Sequence, residues 1–296
     1  MKQVFPRCTR RPTSRPGWGL AYRRAVEGFE GSGADWQPQR ERVDAALFTQ
    51  RTIGPYKLGR RLRAVPYGQV TLAIHDGFEE VVELEQYDDL VRTEFAGPEG
   101  ALLGDISSAI GLSHRYLIPL IGAGMDGGVP YVVRAHRLGR PLGEVLRQLG
   151  SLPAPHAAAV LYPLAEVLAY LADEGAQPGA CSPGGFDVQD VLLGYDGSVA
   201  LLGSGLKLLR CPAGDPLACD FESLLSLAAE LDRRAGTRFL PMVQEAGSPA
   251  EAALALRRAE RKALGQGPAL LGAYLRRHYE EAIREERAFF DLPTLH

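Results

Sequence analysis

Residues 68–87, which read GQVTLAIHDGFEEVVELEQY, decide how the first half of this 296-residue chain folds. Two largely apolar runs, Val70 to Ile74 and Val81 to Glu85, flank the turn-forming sequence HDG, and this order predicts a β-hairpin. In the second run Glu83 and Glu85 alternate with apolar residues. Because successive side chains of a strand point to opposite faces, both acids are expected on one face of the sheet.

The sequence around this hairpin predicts a small antiparallel sheet followed by a mainly helical half. Apolar periodicity and turn residues support this division. The glycine-rich run at residues 122–128 is expected to be a hairpin loop between two strands. The other predicted strands span residues 56–62, 116–121, 131–133, 191–193 and 199–202, and the predicted helices span 99–112, 142–149, 155–174, 220–234, 249–264 and 268–290.

Composition indicates a globular protein with no overall attraction to polyanions. The chain is 46% hydrophobic, carries a formal net charge of -3 and has a pI near 6.1. The charge is uneven, because seven Lys and Arg residues precede the first acid, Glu27. This basic arm is expected to be a solvated tail, with docking to an acidic partner as the alternative.

Cysteine spacing and hydropathy predict the cellular compartment of the protein. The four cysteines are far apart and form no C-x-x-C pair, so neither a zinc site nor a disulfide framework is expected, and a reducing cytoplasm fits best. No apolar segment follows the basic N-terminus as in a signal peptide. The longest apolar stretch, Ala157 to Ala172, is expected to be a buried helix too short to span a bilayer. The six histidines form no metal-binding pattern.

Residues 56–232 resemble the eukaryotic-like Ser/Thr protein kinases of bacteria. The family's glycine-rich L-G-x-G-x-x-G-x-V corresponds to LRAVPYGQV at residues 62–70, where Arg63 and Val65 replace the first two glycines and Gly68 keeps the third. The resemblance implies a bilobal α+β fold, with a small antiparallel N-lobe sheet plus one helix, a mainly helical C-lobe and a shortened activation segment. It also implies a basic, partly disordered extension at 1–52, an N-lobe at 53–138, and a C-lobe with a helical tail at 139–296.

The same resemblance identifies the positions that would hold a nucleotide. Counting on from the glycine motif without a gap puts Glu85 at the family's strand lysine, and a one-residue slip would put Leu84 there. Asp105 falls at the helical glutamate. The segment PYVVRAHRLG at residues 130–139 resembles the strand leading into the interlobe hinge, with Arg134 at the gatekeeper position and His136 in the hinge.

An arginine at the gatekeeper position requires an acidic partner, because an unpaired buried charge is very costly. We therefore expect Arg134 to form a salt bridge with Glu83, Glu85 or Asp105 and to fill the nucleotide site. The alternatives are that both glutamates face solvent and that Asp105 is an exposed helix residue.

The catalytic loop and the metal-binding triplet also depart from the family pattern. The register between residues 176 and 186 stays open, but no acid occurs between Gly175 and Phe186. Asp187 falls at the substrate-facing lysine. Asp190 could bind one cation weakly, with a helix-cap or turn role as the favoured alternative. The aligned positions are Pro183, Gly184 and Gly185 for H-R-D, Asp190 for the loop asparagine, and Gly203, Ser204 and Gly205 for D-F-G.

These departures imply a kinase-like domain without kinase activity, a pseudokinase. It would act as a protein-binding scaffold or allosteric regulator in bacterial signalling, with an active kinase or another signalling component as partner, and without a cofactor or metal. One alternative is a noncanonical nucleotide-binding enzyme that uses Asp187, Asp190 and Glu85. The other is an interaction module whose basic arm binds nucleic acid or an acidic surface, although the sequence gives no strong nucleic-acid signal.

Overall fold

The computed structural model describes residue 48 and residues 51–65, 68–77, 81–87, 109–110, 112–175, 185–202, 216–262 and 266–290. The basic arm and most of the helix predicted at 99–112 lie outside these ranges. The strands are β1 (Thr52–Ile53), β2 (Tyr56–Val65), β3 (Gly68–His75), β4 (Val81–Tyr87), β5 (Leu117–Ile118), β6 (Leu120–Asp126), β7 (Val129–Ala135), β8 (Gly139–Pro141), β9 (Val191–Gly194) and β10 (Val199–Leu202). The helices are α1 (Leu142–Leu149), α2 (Ala154–Gly175), α3 (Pro216–Ala235), α4 (Phe239–Ala246), α5 (Pro249–Lys262), α6 (Gly267–His278) and α7 (Glu280–Phe289).

The N-terminal sheet has the strand order β1-β2-β3-β4-β7-β6, and all its neighbouring strands are antiparallel. The predicted hairpin forms β3 and β4, with Val70 opposite Glu85 and Leu72 opposite Glu83. Val82 and Leu84 lie on the other face, in an apolar cluster with residues of β1, β2, β3 and β7. We call the face that carries Glu83 and Glu85 the acidic face.

A second sheet connects the N-terminal sheet to the helices. Its strand order is β5-β10-β9-β8, with β5 parallel to β10. β5 directly precedes β6 of the first sheet, and β8 follows β7, so two short segments join the sheets. Leu138, in the second segment, packs against both the helical core and the apolar part of the N-terminal sheet.

Helix α2 is the centre of the helical half, where it packs against α3, α5 and α6. Its window Ala154–Asp173 is 20 residues long with a mean hydropathy of 1.2, so length and composition would allow it to cross a membrane. The apolar stretch is therefore longer than the sequence analysis estimated. Since 61% of the window is buried inside the protein, it also fits the interpretation as a core helix.

Several predicted elements have different limits in the structure. The tail predicted as one helix at 268–290 is two helices that meet at Tyr279, which has φ -123° and ψ 23°. Strand β6 extends through most of the glycine-rich run, and only Gly127 and Gly128, with φ of 58° and 82°, form the turn. The sequence analysis did not predict helix α4.

The expectation of no disulfide was wrong, because Cys219 in α3 is disulfide-bonded. Its partner lies outside the described residues. The spacing of the four cysteines gave no indication of this bond. The spacing of the cysteines therefore no longer supports a location in a reducing compartment.

Helix α3 holds the segment that precedes β9. The Gly185 N–H donates to Asp220 Oδ1 at 2.7 Å, and the Phe186 N–H donates to Ser223 Oγ at 3.0 Å. The Ser223 hydroxyl donates in turn to the Cys219 carbonyl oxygen at 2.9 Å. Asp220 is 2% exposed, so these bonds are shielded from water.

We expect Asp220→Ala to lower the free energy of unfolding by about 1–3 kcal/mol, because the substitution leaves the Gly185 N–H without its acceptor. Urea unfolding followed by circular dichroism would measure the change. Glu222→Ala, at an exposed position two residues away, is the matched control and should change stability by less than about 0.5 kcal/mol. Equal effects of the two substitutions would contradict the anchoring role of Asp220.

Candidate functional site

The candidate site is the acidic face of the N-terminal sheet, around β4. Glu83 and Glu85 project from this face, and their side chains are only 5% and 13% exposed. The alternative that both acids face solvent is therefore wrong. Two buried carboxylates on one face require positive partners, because an uncompensated buried charge costs several kcal/mol.

Arg134 of β7 is the partner of Glu85. Arg134 lies directly opposite Glu83 in the β4–β7 ladder, and its Nη2 donates diagonally to Glu85 Oε2 at 2.5 Å. Burial opposes the charge on the guanidinium, but its neighbours, with Glu85 the strongest, raise the pKa of Arg134 above its usual value. Of the three carboxylates considered for Arg134, the structure places Glu85 in contact, whereas Asp105 lies outside the described residues.

Glu83 has two partners of its own. Arg63 Nη2 donates to Glu83 Oε2 at 3.0 Å, and His136 Nδ1 lies 3.2 Å from Glu83 Oε1. Burial alone would raise the pKa of Glu83, but Arg63, His136 and then Arg134 together hold it at about 2. Glu83 is therefore ionised at neutral pH, and the His136 Nδ1 carries the proton of the bond between them.

Apolar residues close both ends of this charged cluster. At one end Tyr87 packs with Leu120 and Val132, and burial followed by the charge of Glu85 raises the pKa of its hydroxyl well above the ordinary value. At the other end lies a set of apolar side chains that we call the Phe290 pocket. Around Phe290, this pocket is formed by Phe48, Leu62, Leu72, Ile74, Val81 and Leu138.

The glycine-motif positions take part in strand packing. Arg63 is held by Glu83, and Val65 pairs with Gly68 across the tip of the β2–β3 hairpin. A Cβ at Gly68 would lie 1.9 Å from the backbone oxygen of Gln86, which is far inside the contact distance of two non-bonded atoms. The close contact between β3 and β4 thus accounts for the one glycine that the motif retains.

The two aspartates aligned with the catalytic loop organise a turn. Asp190 Oδ2 accepts a hydrogen bond from the Asp187 N–H at 2.8 Å, and Asp187 Oδ1 accepts one from the Gln189 N–H at 2.7 Å. The second bond, to the N–H two residues on, is that of an Asx turn, and the first closes the same turn from its other end. Within the described ranges, no group of three His, Cys, Asp or Glu side chains could hold a metal ion. Pro183, Gly184, Gly203, Ser204 and Gly205 lie outside the described residues, and Gly185 is the residue bound by Asp220.

Three contributions to the site were not predicted from the sequence. Arg63 was expected only to replace a glycine and His136 only to lie in the hinge, although both bind Glu83. No role was predicted for Phe290. Strand alternation could have placed Arg63 on the acidic face only if the register shifts within β2 had been known.

We expect Arg134→Leu to destabilise the fold by about 3–5 kcal/mol, because it leaves the Glu85 carboxylate buried without its cation. The double variant Arg134→Leu with Glu85→Leu should recover most of that loss, since it removes both charges. Chemical denaturation of the two single variants and the double variant gives the coupling energy.

The matched control for this cycle is Arg233→Leu, which breaks an ion pair with Glu230 on the surface, where the Arg233 side chain is 67% exposed. Its effect should stay below about 1 kcal/mol. Additive effects at Arg134 and Glu85 would contradict a coupled buried pair.

The low pKa of Glu83 predicts an acid-dependent loss of stability. Since the folded pKa of about 2 lies below the ordinary value of 4.5, the stabilisation is complete above pH 4.5 and is lost as the pH falls through about 2. Glu83→Gln removes this contribution. The difference in unfolding free energy between wild type and variant should therefore shrink on acidification, by up to about 3 kcal/mol. Urea unfolding across the acid range would measure it, and a difference independent of pH would contradict the prediction.

Comparison with known proteins identifies the fold. A mutant form of the Mycobacterium tuberculosis PknI kinase domain has a TM-score of 0.57 and 17% identity, covering 70% of this chain and 96% of its own. Two other structures of the PknI kinase domain have TM-scores of 0.55 and 0.56 with 18% and 16% identity, covering 70% and 72% of this chain and 97% of their own. No family model and no curated protein matches. The N-terminal sheet and the helical half therefore have the bilobal α+β fold of a protein kinase domain, which confirms the fold class expected from the sequence.

Proposed function

We propose that this chain is a pseudokinase, a kinase-fold domain that does not transfer phosphoryl groups and that acts by binding another protein. The observation that carries the proposal is the ion pair between Glu85 and Arg134. It occupies the position that the sequence resemblance aligns with the lysine of the kinase strand. A carboxylate stands where the chemistry needs a cation, and the neighbouring cation is already neutralised.

The electrostatics of the acidic face oppose a triphosphate. A carboxylate about 4 Å from an anionic oxygen costs on the order of 4 kcal/mol at an effective dielectric constant near 20. Glu83 and Glu85 would both contribute to this cost. Arg63 and Arg134 offset part of this cost where they stand, but neither guanidinium can bind phosphate directly without giving up its buried carboxylate.

The catalytic-loop region supports the same proposal. Kinases position the attacking hydroxyl with an aspartate and hold magnesium through a loop asparagine and the D-F-G aspartate. In the alignment Gly185 falls at the aspartate that positions the hydroxyl and Asp190 at the asparagine, and Asp190 accepts a hydrogen bond from the backbone N–H of Asp187. The triplet aligned with D-F-G reads Gly203-Ser204-Gly205, which puts a glycine, with no side chain to hold magnesium, at the position of the metal-binding aspartate.

The scaffold part of the proposal rests on the retained kinase shape. The partner would be an active kinase or another signalling component, and the site of action would be the cytoplasm. The N-lobe would comprise residues 53–138 and the C-lobe residues 139–296, with the basic extension at 1–52 as a further contact region. This step from shape to binding is made by analogy with the fold.

Thermal unfolding in ATP with magnesium or manganese tests the proposal. We expect no rise in melting temperature, whereas binding at about 100 times Kd would stabilise the protein by about 2.7 kcal/mol. Incubation with γ-labelled ATP and a generic protein substrate should transfer no label above background. Label transfer that is lost in Asp187→Ala or Asp190→Ala would instead establish the alternative, an enzyme that uses Asp187, Asp190 and Glu85. Nucleotide stabilisation without label transfer would contradict the proposed exclusion of the triphosphate but not the lack of catalysis.

A further inference from the structure

We propose that the acidic face ends in a docking site for an amphipathic helix, and that α7 occupies this site in cis. The site recognises an aromatic side chain together with a carboxylate four residues before it. A helix of the same chemistry in a partner protein can replace α7. This inference goes beyond the proposed function and does not depend on whether the chain is catalytically active.

Phe290 supplies the aromatic part of this recognition. It directly follows α7 and is only 1% exposed. It belongs to one apolar cluster with the other residues of the Phe290 pocket. A phenylalanine buried to this extent stabilises the docking of the segment that carries it.

The pocket belongs to the acidic face itself. Leu72 lies directly opposite Glu83, and Ile74 lies directly opposite Val81, so these pocket residues share the face of the buried acids. The ring of His136, which contacts Glu83, lies 5.1 Å from the Phe290 ring, measured between centroids. Phe290 thus covers the end of the charged cluster that is nearer to Leu138.

Glu286 supplies the acidic part. It lies one helical turn before Phe290, so both side chains project from the same side of α7. Glu286 Oε1 lies 2.9 Å from Arg140 Nη2, and the Arg140 Nε donates to the Tyr195 hydroxyl at 2.9 Å. The Glu286 side chain is only 14% exposed, so the ion pair is largely desolvated and selective for a carboxylate at this position.

The two contacts join different parts of the protein. Phe290 packs on β2, β3 and β4, whereas Glu286 binds Arg140 in β8 of the second sheet. Helix α7 therefore bridges the two sheets, and its release would expose the pocket and Arg140 at once. Because each contact is local to one side of one helix, a foreign helix with the same spacing of acid and aromatic could make both.

A peptide-exchange experiment tests the proposal in the full-length chain. The probe is a fluorescein-labelled synthetic peptide with the sequence of residues 279–296. We expect the Phe290→Ala protein to bind the probe roughly tenfold or more tightly than wild type does, because the wild-type site is closed for most of the time. In the Phe290→Ala protein, hydrogen exchange should accelerate in residues 280–289 but not in α2.

Two variants sharpen the test. A probe that carries the Phe290→Ala change should not bind, and adding Arg140→Gln to the Phe290→Ala protein should abolish binding of the original probe. Leu254→Ala, which truncates a side chain that is 57% exposed on α5, is the control and should bind the probe as weakly as wild type.

If Phe290→Ala does not fold, Glu286→Gln replaces it in the same comparison and should also open the site. Faster exchange in residues 280–289 without probe binding would overturn the proposal, because α7 would then be a structural helix and not a replaceable ligand. Equal probe affinity of wild type and the opened variants would overturn it as well.

Discussion

The bond between the Glu85 carboxylate and the Arg134 guanidinium is the constraint on which the organisation of the N-terminal sheet depends. The pair is nearly sealed from water, so neither member tolerates the loss of the other. It can form only when β4 and β7 are paired in the observed register. Shifting β4 by one residue would send both acids to the opposite face and bring Leu84 into contact with Arg134.

The same constraint extends to the rest of the acidic face. Because Glu85 binds Arg134, Glu83 binds Arg63 on one side and His136 on the other. The two carboxylates are thus balanced by two guanidinium groups within the protein, whereas Arg134 Nε and His136 Nε2 are buried without a hydrogen-bond partner among the described residues. Apolar packing by Tyr87 at one end and Phe290 at the other keeps water out, which strengthens the ion pairs between them.

Much of the fold was predictable, because it follows from local patterns. The alternation around Glu83 identified β4 and its apolar face, and the apolar runs at 191–193 and 199–202 identified β9 and β10. Contacts between distant segments were not predictable in detail. Nothing in the sequence near Arg134 distinguishes Glu85 from Glu83 as its partner, since that choice depends on a diagonal contact across the ladder.

Other features escaped prediction for the same reason. The position of Phe290 depends on contacts between segments far apart along the chain, and the spacing of the cysteines did not indicate the bond of Cys219. The break at Tyr279 was missed because the residues on both sides favour helix, and the end of α6 is set by packing. Sequence patterns indicate the period of an element and which of its faces is apolar, whereas these features depend on tertiary contacts.

The need for glycine at position 68 bears on how conserved glycines are interpreted in kinase-fold domains that have lost their catalytic motifs. The Cα of Gly68 faces the backbone of Gln86 so closely that a methyl group cannot be inserted. A saturation mutagenesis screen, or an alignment of orthologues, would consequently report this glycine as invariant. Such invariance would resemble the mark of a phosphate-binding loop, although the distance between two strands is enough to cause it.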